Sequence, residues 1–109
     1  NVKIVQNAKT GVTVAAGATV TAISTLYIHD YRRVTFVSKA PEDTKTAIAY
    51  RLFTMDETPW SGVDTLSTPS NSRVAHVTFD VTAPRTYMRI NNQSAAQQTY
   101  SVDYYLWPN

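Results

Sequence analysis

Cysteine is absent from the chain, which removes disulfide frameworks, zinc ribbons and thiol nucleophiles in one step. Glycine is nearly absent. Its three occurrences in 109 residues lie far apart and leave no Gly-rich loop to cradle a phosphate. No apolar run approaches the roughly 20 residues that a membrane-spanning helix needs. Net charge is also small: a formal +2 carried by scattered basic residues, of which only Arg32 and Arg33 are adjacent. Nucleic-acid binding draws on a concentrated basic stripe that releases counterions, so this distribution argues against it.

Histidine is scarce too, with His29 in a polar stretch beside Asp30 and His76 on the polar side of an alternating segment. A Ser-His-Asp site needs a nucleophile on a strained turn and an oxyanion hole, and no Gly-x-Ser-x-Gly occurs. A zinc site needs more nitrogen and sulfur ligands than the chain holds. Asp56, Glu57 and Asp64 are the carboxylates that calcium would draw on, but their spacing follows no recognised loop. No catalytic residue, cofactor ligand or metal ligand is assigned, and a non-enzymatic protein is expected. A chain that opens at Asn1 is expected to be processed or excised, so a removed signal peptide would leave no trace.

What is present is β-branched. The chain holds 16 threonines and 12 valines, residues that suit a pleated, half-buried surface. Its length fits one domain, residues 1–109. Val2–Val5 read as a short strand, closed by Asn7 and a turn at Lys9–Gly11. The stretch from Val12 to Thr21 alternates on both sides of Gly17, as a hairpin does or as a strand that bends and changes sheet. Val34–Val37 form a further strand, and Pro41-Glu42-Asp43 read as a turn. From Ala47 to Met55, Ile48, Tyr50 and Leu52 face one way, and Arg51, Phe53 and Met55 the other. Residues 56–72 form a long loop with Pro59, Gly62, Pro69 and the apolar Trp60, Val63 and Leu66; loops of this length tend to be functional or mobile. Ala75–Val81, Tyr87–Ile90 and Tyr100–Trp107 alternate again.

About eight strand segments with regular turn signals predict an all-β, antiparallel β-sandwich of jelly-roll or immunoglobulin-like type. Its expected core is Val34, Phe36, Ile48, Tyr50, Leu52, Val77, Phe79, Ile90, Val102 and Leu106. Residues 1–7 are set apart by polar neighbours. They read as an arm that pairs within its own domain or exchanges into a neighbour's sheet.

With the strands placed, Asp56–Trp60 and the later strand Tyr87, Arg89 and Ile90 carry a resemblance. The chain from Gly11 onward resembles small β-sandwich modules of phage tail, fibre and decoration proteins and of surface-appendage proteins. Its turn differs, with Asp56-Glu57-Thr58-Pro59 where Asp-Gly is usual. The Tyr-x-Arg-Ile strand is also similar to one in discoidin-like carbohydrate-binding domains. The resemblance implies a sandwich and carries over no functional residue. The expected function is a structural or assembly module of a virion, filament or surface appendage, extracellular or at the virion surface. Its expected partners are copies of itself or lattice and filament neighbours. Interface candidates are the apolar ends and the aromatics: Val2, Ile4, Val5, Trp60, Tyr105 and Trp107. The alternative is a carbohydrate-binding module of a secreted protein, with a polysaccharide as partner.

Overall fold

A computed structural model describes residues 1–109, and the chain is built from strands alone. They are β1 (Lys3–Val14), β2 (Thr19–Tyr27), β3 (Tyr31–Phe53), β4 (Thr65–Leu66), β5 (Ser70–Asp80), β6 (Arg85–Asn92) and β7 (Gln98–Pro108), and every pairing is antiparallel. No helix is long and apolar enough to cross a membrane.

The organising element is β3, at 23 residues long enough to belong to two layers. Its first half, around Arg33–Lys39, lies between β7 and β5; its second half, Thr46–Phe53, lies between β6 and β4. The first layer therefore runs β1-β7-β3-β5, and the second runs β2-β6-β3 with β4 and the start of β5 on the far side. The sandwich is one sheet folded along a crease in its longest strand.

The crease is where a turn was expected. Pro41-Glu42-Asp43 does not reverse the chain; it lies inside β3. Pairing with β5 passes from Lys39↔Val74 to Thr44↔Ser72, so Ala40–Asp43 oppose Arg73 alone. The surplus residues bulge and bend the strand. Pro41 has no N–H to donate and fits where the ladder is interrupted.

A second expected break also proves continuous. β1 runs through both Asn7 and Lys9–Gly11. Asn7 (φ 51°) and Gly11 (φ 64°) take left-handed backbone, and the register against β7 shifts between Val5 and Lys9 and again between Lys9 and Val12. These are bulges rather than turns. The structure consequently has seven strands where about eight segments were expected. At Gly17 (φ 74°) the chain changes layer: β1 pairs β7 and β2 pairs β6, so no hairpin forms.

Alternation places the core as expected. Val34, Phe36, Ile48, Phe79, Ile90, Val102 and Leu106 are buried, and Tyr50, Leu52 and Val77 pack against them half-buried. Phe79 joins the layers, stacked on Tyr50 at 4.0 Å and 8° and tilted against Phe36 at 5.6 Å. Buried polar groups find partners: Thr46 Oγ1 lies 2.9 Å from the Tyr100 hydroxyl, and Asn92 Nδ2 donates to the Val14 carbonyl at 3.0 Å.

Candidate functional site

Each layer has an outer face, and the two are finished differently. On the first layer, Thr35, Val37 and Asp103 point outward by parity yet are buried. Trp107 covers them at one end, its Nε1 donating to Thr35 Oγ1 at 3.0 Å; Thr35 also bonds the Thr78 hydroxyl at 2.8 Å. The Arg33 guanidinium sits 5.8 Å from the Trp107 ring centroid. At the other end Lys39 Nζ lies 2.8 Å from Asp103 Oδ1, which also accepts the Asn7 backbone N–H at 2.8 Å. At the margin Ile4 lies opposite Tyr105 and is 61% exposed.

On the second layer, residues 54–69 are laid along the sheet and tied there by arginines. Arg51 Nε donates to the Ser61 carbonyl at 2.8 Å. Arg85 donates through Nη1 to the Met55 carbonyl at 2.6 Å and through Nη2 to Glu57 Oε1 at 2.7 Å. Arg89 Nη1 donates to Asp64 Oδ2 at 3.2 Å, and the Tyr87 hydroxyl donates to the other oxygen of the same carboxylate. Burial, and then the hydrogen bond to Asp64, push the Tyr87 hydroxyl above the usual tyrosine range. Further bonds complete the attachment: Trp60 N–H to the Leu52 carbonyl at 2.9 Å, Ser67 N–H to the Ile48 carbonyl at 2.8 Å, and Ile48 N–H to the Ser67 hydroxyl at 2.8 Å.

The loop opens with a turn closed by its own side chains. Thr54 Oγ1 accepts the Thr58 N–H at 3.1 Å, and Asp56 accepts both threonine hydroxyls. Those bonds hold the exposed Asp56 carboxyl below its ordinary range. Asp56, Glu57 and Asp64, weighed as calcium ligands from the sequence, are thus engaged separately, by hydroxyls, by Arg85, and by Arg89 with Tyr87.

This attachment holds apolar side chains out in solvent. Met55, Trp60, Val63 and Leu66 project from the loop, Trp60 56% and Val63 73% exposed. The interface candidates therefore fall in two places. Ile4, Tyr105 and Trp107 share the outer face of the first layer, while Trp60 stands on the loop of the second. Val5, opposite Tyr104, takes the inward side of β1, and Val2 precedes the strand. Lys3, Ile4 and Val5 pair with Leu106, Tyr105 and Tyr104 of the same chain. Both histidines are exposed, His29 Nε2 lying 3.5 Å from Asp30 Oδ2 and His76 facing outward on β5.

Sequence reasoning missed the arginine ties. Their signal was there: Arg85, Tyr87 and Arg89 alternate on one strand face, and the loop carries three carboxylates. It also missed a pocket of about 260 Å³ between β2 and β6, where Ser24 and Thr25 meet Phe53, Glu57, Arg85 and Tyr87.

No protein-family profile matches the sequence, and no curated protein sequence matches it. Solved structures do share its fold. The Yersinia pseudotuberculosis-derived mitogen is 12% identical over 100% of this chain and 88% of its own, with a TM-score of 0.56. The SPBc2 prophage-derived protein YomS is 10% identical over 96% and 93%, with a TM-score of 0.53. A chain of infectious bursal disease virus, Gx strain, is 13% identical over 99% of this chain, with a TM-score of 0.54, and this chain spans 34% of its length. At such identities the likeness shows the β-sandwich fold alone, and a mitogen and a virus chain that share it illustrate why.

Proposed function

We propose that the chain is a non-enzymatic structural module of a virion, filament or surface appendage, working by association with further copies of itself. The observation that carries this reading is the exposure of Met55, Trp60, Val63 and Leu66 on a loop tied to the sheet by hydrogen bonds. An exposed apolar group costs least on a mobile segment that can fold it away. Here arginine and backbone bonds hold the loop so that it stays out. A surface already ordered before contact loses little entropy on docking. A net charge of only +2 opposes the approach of like chains weakly. The virus and prophage proteins with this fold add support of a general kind.

Sedimentation across a concentration series tests the proposal. The native chain is expected to self-associate, and the double variant Trp60→Ala, Val63→Ser to shift towards monomer with an unchanged far-UV spectrum. A native chain that stays monomeric at about 1 mM, the weak end of specific affinity, would overturn the reading. Retention on a polysaccharide through Trp60 would put a carbohydrate-binding module in its place.

A further inference from the structure

The pocket beside Arg85 has the features of a ligand site, and none of them depends on whether the chain assembles. It opens where β2 departs from β6. The register moves from Ile23↔Met88 to Leu26↔Thr86, so Ser24 and Thr25 together oppose Tyr87. The bulge brings both of these hydroxyl-bearing residues into the pocket lining. Phe53 and Tyr87 form an aromatic wall, their centroids 5.1 Å apart and tilted by 57°.

The lip is the ion pair of Arg85 with Glu57 at 2.7 Å. Arg85 is fixed, its side chain 11% exposed and its second nitrogen committed to the Met55 carbonyl; the Glu57 side chain is 69% exposed. Glu57 also has φ 66°, a left-handed backbone unusual for a residue with a Cβ. The Glu57 N–H to the Thr54 carbonyl and the Arg85 pair hold it there. Strain of this kind collects at ligand-binding positions, where it fixes a group that would otherwise relax away.

We infer that this pocket binds one ring of a neutral carbohydrate. The paired charges of the lip cancel, which disfavours an ionic ligand of either sign. A guanidinium donor beside a carboxylate acceptor matches adjacent hydroxyls, each of which accepts and donates. Ser24 and Thr25 extend the same capacity, and the aromatic wall offers the C–H face of a sugar a surface to pack on. At about 260 Å³ the space lies below the ~300 Å³ at which pockets for drug-sized ligands begin, room for one ring and not for a buried chain.

Titration of the ¹⁵N-labelled chain with methyl glucoside, methyl galactoside and methyl N-acetylglucosaminide, with glucuronate as the charged control, tests this. At least one neutral glycoside is expected to give saturable shifts at Ser24, Thr25, Phe53, Glu57 and Tyr87, and to bind more tightly than glucuronate. Glu57→Gln, which keeps an acceptor but removes the charge, is expected to weaken binding roughly tenfold. Ser24→Val, on the edge strand β2 and in none of the hydrogen bonds that hold the loop, is expected to weaken it while the Arg85–Glu57 pair stays in place. The inference fails if no neutral glycoside shifts these residues at roughly 50 mM, well beyond a millimolar Kd. It fails equally if glucuronate binds best, or if both variants bind as the native chain does.

Discussion

On the first layer the outward row of Thr35, Val37 and Asp103 is buried by side chains of the sheet itself, chiefly Trp107 and Lys39. On the second layer the outward positions between the core residues are Ala47 and Ala49, and a loop lies beside them. Asp64 immediately precedes β4, on one side of β3, and reaches past Ala49 to Tyr87 and Arg89 on the other. Small residues at 47 and 49 leave the room that crossing needs. Side-chain cover consumes its own polar groups and leaves a quiet surface. Loop cover demands that residues 54–69 be ordered, which costs about 1–2 kcal/mol of backbone entropy per residue. In return it presents side chains that a strand would have turned inward. The face finished by a loop carries Met55, Trp60, Val63 and Leu66, four of the seven exposed large apolar side chains, together with the pocket beside Arg85, while the first keeps Ile4 and Val74 at its margins.

The most severe way to break the comparison is to remove what the two layers share. Phe79 contacts Tyr50 from one layer and Phe36 from the other. Phe79→Ala is expected to cost about 3–5 kcal/mol by urea denaturation, the range for truncating a buried phenylalanine. The loss should come in a single transition that takes both faces together. Two separated transitions would show that the layers fold independently and that the crease in β3 is only a tether.

A smaller change should separate the faces. Asp64→Ala removes the acceptor of both the Tyr87 hydroxyl and Arg89. A charge-assisted contact on a part-exposed surface makes the expected cost about 1–2 kcal/mol. The Trp60 backbone N–H, bonded to Leu52, should lose protection from hydrogen exchange. The Trp107 indole N–H, bonded to Thr35 on the other layer, should keep its resonance. Movement of both would mean that the loop and the first face are one cooperative unit.

These outcomes bear on how far the residues alone disclosed the molecule. The inward rows Ile48-Tyr50-Leu52 and Val102-Tyr104-Leu106 were legible because strand side chains alternate with period two and the chain supplies the alternation. The continuity of β3 was not, because Pro41-Glu42-Asp43 has the composition of a turn, and only the pairing with β5 converts it into a bulge. The loop's apolar content was legible; its rigidity was not. Arg51, Arg85 and Arg89 come together only through the β3–β6 register, which sets Arg51 opposite Tyr87 and Ala49 opposite Arg89. A slip of β6 by one residue would send Arg85 and Arg89 to the face opposite Arg51. Trp60 and Trp107 were both read as contact residues, and long-range pairing alone decides that they stand on different layers.

The gentlest probe of the difference is pH, because the loop of the second face is held through Tyr87 and Asp56, whose titrations its contacts displace. Tyr87 is raised above the ordinary tyrosine value, so the fold favours its neutral, donating form. Its contribution is fully present below the unfolded value, about 10, and is lost as pH rises through the higher folded value. Tyr50 is raised by burial with the same sign. Asp56 is lowered, and its contribution runs the other way: present above the ordinary carboxylate range and lost as pH falls through the depressed folded value. The loop should therefore stay docked across neutral pH, losing its Thr54–Thr58 turn on the acid side and its Asp64 tie on the alkaline side. In a Trp107→Phe background Trp60 is the sole indole, and its emission should hold steady at neutral pH and change above about 10. Adding Tyr87→Phe should abolish that alkaline change, since the titrating hydroxyl is gone, whereas Tyr50→Phe should leave it. An alkaline change that survives Tyr87→Phe would mean that the loop is released by some group other than the Tyr87 hydroxyl.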